Sequence, residues 1–185
     1  MSTTKNIALL LWICLASAQN FSKTILVGKN QPVKSIKEAL EICVNGDVIK
    51  VEGGFYSENN LAINKQISLI GIDYPTISGK KKEGIFLIRA NNVSIEGFHF
   101  ADAGVSFVKD NAAIRLDSVS GCVIKNNRFS NNFFGIYIGK SWDCIISENK
   151  IISNQKAQTY SGNGIHLWYC RNVQVEKNYV EGHRD

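Results

Sequence analysis

Few residues of this 185-residue chain are suited to bind a metal ion. Thiol and thioether groups select Cu(I), and imidazole suits several transition metals. The single methionine is the initiator, Met1, so soft ligands come from the cysteines alone. The three histidines, His99, His166 and His183, occupy different positions of the repeat that is described below. We therefore predict no compact metal site, and His166 and His183 are the candidate metal ligands.

Carboxylates are the other groups that could carry chemistry in this chain. Enzymes that cleave polysaccharides use paired carboxylates for acid–base work, or an acidic calcium site beside a basic group. Gly-His-Gly and Asp-Asp motifs are absent, and four aspartates near the strands do not share a repeat position: Asp102, Asp110, Asp117 and Asp143. We therefore predict no catalytic residues. A polysaccharide-cleaving enzyme is one alternative, and a structural or carbohydrate-binding surface solenoid is another.

An internal repeat organises most of the chain. A motif of Gly or Ala, Ile, any residue and an apolar residue occurs four times, with isoleucines 29, 22 and 29 residues apart, at Ile85, Ile114, Ile136 and Ile165. A second apolar strand follows at the same offsets, with pairs at Val93/Ile95, Cys122/Ile124, Cys144/Ile146 and Val173/Val175. Agreement of several columns on one short period indicates a solenoid.

The period predicts the geometry of each coil. About 22 residues accommodate three short strands and three turns, and parallel coils stack at about 4.8 Å. Asn127, Asn149 and Asn178 share one corner, where we expect a structural ladder of amide hydrogen bonds. Cys122 and Cys144 share an interior column, where we expect a buried pair of free thiols, because cysteine packs as a small hydrophobe. The two longer intervals predict inserted loops at 101–112 and 152–163.

One outward-facing column of the first strand could form a binding surface. The repeat alignment places in it two aromatic residues, an arginine and a histidine: Phe86, Arg115, Tyr137 and His166. Stacked aromatic rings suit sugars, and the inserted loops should border the column. We predict a ligand or docking strip there, although aromatic residues also favour strands for structural reasons alone.

The N-terminal residues predict export and a cap. Residues 1–18 combine Lys5, an apolar stretch too short to span a bilayer and Ala16-Ser17-Ala18, which is typical of a cleaved signal peptide. Residues 19–47 then predict a strand and a capping helix, with a Ser35-x-x-Glu38 capping box. Residues 48–185 predict about five coils of three strands each. The whole is an all-β fold, without a transmembrane segment in the mature chain.

The run Gly164-Ile165-His166-Leu167-Trp168-Tyr169-Cys170-Arg171-Asn172-Val173 resembles the NosD family, and so does Asn178 to Asp185. Residues 36–51, with Ala39-Leu40 and Gly46-Asp47, are similar to the start of the same family. The resemblance implies a right-handed parallel β-helix of the carbohydrate-binding and sugar-hydrolase type, in the periplasm. It also implies an accessory role in copper-site assembly of nitrous oxide reductase, beside ABC transporter components of the NosF and NosY type.

The resemblance also sets expectations about cofactors, partners and length. Copper is a cofactor only by this resemblance, since the residues themselves predict none. The formal charge of +5 is mild and scattered, and we expect the run Lys80-Lys81-Lys82 to be a solvated turn, not a nucleic-acid site. NosD proteins are longer, and the next isoleucine of the repeat would fall at position 187. We therefore expect a C-terminally truncated chain whose coils continue beyond Asp185.

Overall fold

The computed structural model describes residues 22–106, 108–154 and 162–184. The predicted signal peptide therefore lies outside the described residues, and so does most of the second predicted loop. In chain order the elements are β1 (Thr24–Val27), α1 (Ile36–Ile42), β2 (Val48–Val51), β3 (Phe55–Tyr56), β4 (Leu61–Ile63), β5 (Ser68–Gly71), β6 (Thr76–Ser78), β7 (Phe86–Ile88), β8 (Ser94–Glu96), β9 (His99–Ala101), β10 (Ala112–Asp117), β11 (Val123–Lys125), β12 (Arg128–Ser130), β13 (Phe134–Gly139), β14 (Ile145–Ser147), β15 (Lys150–Ile152), β16 (Ile165–Trp168), β17 (Gln174–Glu176) and β18 (Tyr179–Glu181).

The strands wind into a right-handed parallel β-helix, as predicted. Three parallel sheets form its walls, in the orders β1-β2-β5-β8-β11-β14-β17, β4-β7-β10-β13-β16 and β3-β6-β9-β12-β15-β18. We call them the first, second and third sheets. Their seven, five and six strands make about six turns, where the sequence predicted about five. Within the described residues no helix is long and apolar enough to cross a membrane.

The interior is a continuous stack of apolar side chains. Alternate strand residues point inward because successive side chains of a strand face opposite sides. In the middle turns the inward columns are fully buried, as at Ile95, Ile124 and Ile146. Phenylalanines belong to this core, and the Phe100 and Phe129 rings stack with centroids 5.2 Å apart.

The short helix covers the N-terminal end of this interior. Ser35 caps α1, since its side chain accepts a hydrogen bond from the Glu38 backbone N–H at 3.2 Å. Ile36 and Ala39 are buried against the first turn. Asp47, which follows the helix, is buried, and its carboxylate accepts backbone N–H bonds from Lys23 and Val44 at 3.0 and 2.8 Å. The capping helix and the Ser35 cap are therefore confirmed, but the capping box is only half formed, because the Glu38 carboxylate accepts the backbone N–H of Lys34 at 3.1 Å and not that of Ser35.

One predicted register is wrong by a single residue. The repeat alignment placed Ile85 beside Ile114, but the structure pairs Phe86 with Ile114 and Leu87 with Arg115. Ile85 is also fully buried, and Phe86 packs inside with its ring 5.5 Å from that of Phe100. The sequence did not distinguish the two registers, because Ile85 and Phe86 are both apolar and show no alternation of apolar and polar residues. Ile114, Ile136 and Ile165 do form one ladder, as predicted.

Candidate functional site

Three of the four residues of the predicted strip lie side by side on the second sheet, and the fourth does not. Arg115, Tyr137 and His166 are direct neighbours on β10, β13 and β16. Phe86 does not belong to this column, because it points inward and is 1% exposed. Leu87 takes its place beside Arg115. We call Arg115, Tyr137 and His166 the aromatic strip.

The members of the aromatic strip stack on one another. The Tyr137 and His166 rings lie nearly parallel, with centroids 4.9 Å apart and planes at 27°. The Arg115 guanidinium carbon lies 5.2 Å from the centroid of the Tyr137 ring. Cationic and aromatic groups at this distance attract each other through the ring quadrupole. The strip is therefore held in a defined conformation before anything binds to it.

Phe134, the first residue of β13, and Phe133 in the turn before it form a wall that the sequence analysis missed. The Phe134 ring contacts both Tyr137 and His166, with centroids 5.4 Å from each. Phe133 packs against Phe134 edge to face at 4.8 Å. A Cβ atom at Gly162 would lie 2.9 Å from the Phe134 ring, so glycine keeps this wall in place. The consecutive phenylalanines in a turn were the available signal, since turns are usually polar.

The first inserted loop supplies the charge beside the strip. Asp110 pairs with Arg115 at 3.6 Å. The Arg115 Nε is buried and has no hydrogen-bond partner among the described residues. Burial, and then the nearby Asp110 carboxylate, raise the pKa of Tyr137. Tyr137 therefore remains a neutral phenol at physiological pH, able to donate or accept one hydrogen bond.

A groove of about 560 Å³ extends the aromatic strip toward the preceding turn. Lys109 and Asp110 of the first inserted loop line this groove, and so do Leu87 and Arg89. Lys109 pairs with Glu83 across it at 3.4 Å. Arg115 is the member of the aromatic strip that lines this groove, whereas Tyr137 is only 6% exposed beneath its neighbours in the strip. A groove with charged side chains of this kind suits a polar ligand or a partner loop.

The histidines are not brought together as a metal centre. His166 stacks on Tyr137, whereas the His183 ring nitrogen Nδ1 lies 3.1 Å from the Gly162 carbonyl oxygen. Burial lowers the pKa of His183. In the described ranges no group of three or more His, Cys, Asp and Glu side chains could hold a metal ion. Metal binding by His166 or His183 stays a prediction.

Comparison with known proteins agrees with this architecture. A family model described as "Right handed beta helix region" matches residues 42–185. The chain belongs to the right-handed β-helix family.

Three curated relatives are distant in sequence and much longer than this chain. A cell surface glycoprotein of Methanothermus fervidus is 29% identical over 128 residues, 68% of this chain and 20% of that protein. The protein named "Probable ABC transporter binding protein NosD" of Pseudomonas aeruginosa is 23% identical over 128 residues, 68% of this chain and 30% of that protein. The protein of the same name from Stutzerimonas stutzeri is 30% identical over 101 residues, 54% and 23% of the two chains. This β-helix spans less than a third of each relative's length.

The predicted asparagine ladder stabilises one corner of the β-helix. The side-chain oxygen of Asn149 accepts bonds from the backbone N–H and the side-chain amide of Asn127, at 3.0 and 3.2 Å. Asn178 repeats both contacts to Asn149 one turn later, each at 3.0 Å. The amide of Asn149 also donates to the Ile124 carbonyl at 2.9 Å. These asparagines satisfy buried backbone groups, so their role is structural.

The predicted thiol pair lies inside the same β-helix. Cys122 and Cys144 are fully buried and free, and each immediately precedes a strand of the first sheet, β11 and β14, whose first residues are paired. The hydrogen bond that Cys122 shares with Cys144, together with burial, raises the pKa of Cys122. Both thiols therefore act as core residues, which agrees with their predicted structural role.

Proposed function

We propose that this chain is an exported, non-catalytic accessory module that uses the aromatic strip to dock a partner of an ABC transporter system. The observation that carries the proposal is the stack of Arg115, Tyr137 and His166, fixed by Phe134 and bordered by the first inserted loop. Interfaces favour aromatic residues and arginine in such preformed positions, because little conformational entropy is lost on binding.

The transporter connection rests on two relatives whose printed name is that of an ABC transporter binding protein. By its resemblance to NosD, the module would assist copper-site assembly of nitrous oxide reductase in the periplasm. Residues 1–18 would direct its export. In this proposal the strip recognises shape and stacking, and copper is handled by the partner proteins and not by this chain.

A complementation experiment tests this function. The chain is expressed in a denitrifying strain that lacks its NosD gene, and copper-loaded, active nitrous oxide reductase is measured. We expect partial or full restoration, lost in Arg115→Ala and His166→Ala, whose partly exposed side chains should not be needed for folding. Lys125→Gln is the control, because Lys125 pairs with Glu96 on the first sheet at 3.0 Å, away from the strip.

The alternatives give different outcomes in the same strain and in purified form. No restoration together with cleavage of a polysaccharide would replace the accessory module by an enzyme. No restoration together with glycan binding would favour a surface solenoid, which the match to a cell surface glycoprotein makes the second candidate. Loss of restoration in Lys125→Gln as well would show that the aromatic strip has no special role.

A further inference from the structure

Two arginines of neighbouring turns lie in the groove beside the aromatic strip. Arg115 faces outward on β10, paired with Leu87 of β7, and Arg89 follows Leu87 two residues later. The sheet still holds Arg89, because its backbone N–H donates to the Ile63 carbonyl at 2.9 Å. Residues two apart on a strand face the same side about 7 Å apart, so both guanidinium groups can reach one group placed above Leu87. We call Arg89 and Arg115 the arginine pair.

The guanidinium of Arg115 uses its flat face but few of its N–H groups. Its face lies against the Tyr137 ring, and such stacking leaves the in-plane N–H groups free to meet an acceptor. The Asp110 carboxylate lies 3.6 Å from Nη1, which is longer than a charge-assisted hydrogen bond. Nε is buried and has no hydrogen-bond partner among the described residues, which is uncommon for a buried donor. Arg115 therefore keeps N–H donors available for an added carboxylate.

Arg89 is the cation left over in the groove. It is exposed and takes part in none of the ion pairs found within the described ranges. Glu83 is paired with Lys109 at 3.4 Å, and Asp110 lies beside Arg115. The groove is thus lined by three cations and two carboxylates, which leaves one positive charge in excess. An anionic group would complement this surface.

We propose that the arginine pair binds a glutamate or aspartate side chain on an exposed segment of the docking partner, an inference that rests on the proposed function. The guanidinium fork matches the two oxygens of a carboxylate, and clusters of arginine are a recurring means of recognising acidic segments. Leu87 between the two arginines offers an apolar surface to the methylene groups of such a side chain. The adjoining aromatic strip suits an aromatic residue next to it in the segment.

An NMR titration of the exported chain with the peptide N-acetyl-Glu-Phe-Glu-amide tests this site. At an ionic strength of about 0.15 M, exposed charges more than about 8 Å apart are largely screened. We expect saturable shifts centred on Leu87 and the arginine pair. Arg89→Gln/Arg115→Gln should raise the dissociation constant about tenfold or more, because two charge-assisted contacts are lost.

The matched control is Arg128→Gln/Lys150→Gln on the third sheet. Arg128 and Lys150 are neighbours on β12 and β15, and neither belongs to an ion pair found among the described residues. This variant removes the same net charge and should change the dissociation constant less than about twofold. Circular dichroism melts establish that each variant is folded.

Three results would overturn the proposal. Equal weakening by the two double variants would show that net charge alone attracts the peptide. Equally tight binding of N-acetyl-Gln-Phe-Gln-amide would show that the carboxylates are not recognised. Glutarate binding as tightly as the peptide would assign the arginine pair to a free dicarboxylate and not to a partner segment.

Complementation separates this inference from the proposed function, because Arg89 lies outside the aromatic strip. We expect Arg89→Gln to lower the restoration of nitrous oxide reductase. Full restoration by Arg89→Gln, beside loss in His166→Ala, would overturn the acidic-segment site and leave the proposed function intact. No restoration by the unmodified chain, together with peptide binding that depends on the arginine pair, would overturn the proposed function and support the site.

Discussion

The middle of the β-helix and its last described turn contain equivalent side chains in very different environments. Ile146 and Val175 are direct partners in one inward column, yet Ile146 is fully buried and Val175 is 45% exposed. Ile151 and Val180 show the same contrast, at 0% and 43%. A ladder residue is covered by the turns on both of its sides, so its burial depends on its neighbours and not on its own strand.

At the N-terminal end a helix covers the side chains of the first turn. Ile49 lies in the first full turn and is fully buried, and α1 packs there through Ile36 and Ala39. In a solenoid each repeat contacts only its neighbours, so an end turn receives half of the packing unless another element covers it. The helix supplies that missing half at one end of the described chain.

The largest expected difference in stability is between two variants that place a charge in the same inward column, one in the middle turns and one in the last described turn. Ile146→Asp should destabilise the fold by several kcal/mol, because an unpaired charge would be buried. In this 185-residue chain Val175→Asp should cost less than about 1 kcal/mol, because Val175 is 45% exposed. Urea denaturation of the two variants beside the unmodified chain measures both values. Equal losses would contradict the contrast between the middle and the last turn.

The asparagine ladder gives a second, smaller contrast between the same turns. Asn149→Ala should cost about 2 kcal/mol, because buried backbone and amide groups on two neighbouring turns lose their partners. Asn178→Ala should cost less, because Asn178 is partly exposed and has a ladder neighbour on one side only. Thermal melts of the two variants compare them directly, and a larger loss for Asn178→Ala would be inconsistent with the ladder.

The buried carboxylate of Asp47 offers a test of what stabilises the capped N-terminal end. Burial opposes its charge, but the backbone N–H groups of Val44 and Lys23 outweigh burial and lower the pKa of Asp47. Asp47→Asn should therefore cost about 1–2 kcal/mol at neutral pH. A lowered folded-state pKa gives stability that is present above the unfolded pKa and is lost as pH falls through the folded one.

The two chains should consequently converge in stability below about pH 4, the usual range of an aspartate pKa. Urea denaturation at pH 7 and at successively lower pH values measures this convergence. A difference between the unmodified chain and Asp47→Asn that stays constant down to acidic pH would show that the charge of Asp47 is not what stabilises the cap.

The smallest expected effect concerns the start of the capping helix. Ser35→Ala removes the acceptor of the Glu38 backbone N–H and should cost about 1 kcal/mol. Ser35→Gly should cost only a few tenths of a kcal/mol, since glycine also suits this position. Thermal melts resolve the two values if the helix is part of the cooperative unit. Identical melting temperatures for all three chains would show that α1 unfolds separately from the first turn.

The sequence by itself determined the repeat, the corner asparagines and the interior thiols. The asparagine at Asn127 and the cysteine at Cys122 have counterparts at fixed offsets, and such a short period indicates stacked coils. The helix cap at Ser35 was also predictable from the local sequence, because its hydrogen bond joins residues three apart.

Tertiary structure alone decided the register at β7 and the composition of the aromatic strip. Ile85 and Phe86 are both apolar, so local pattern could not say which one faces Ile114, whereas packing of Phe86 on Phe100 selects it. The contact of Phe134 with His166 joins residues far apart in sequence, and no local periodicity encodes it. The repeat period determines which strands stack on one another. The exact register between two stacked strands depends on how the side-chain volumes fill the shared interior.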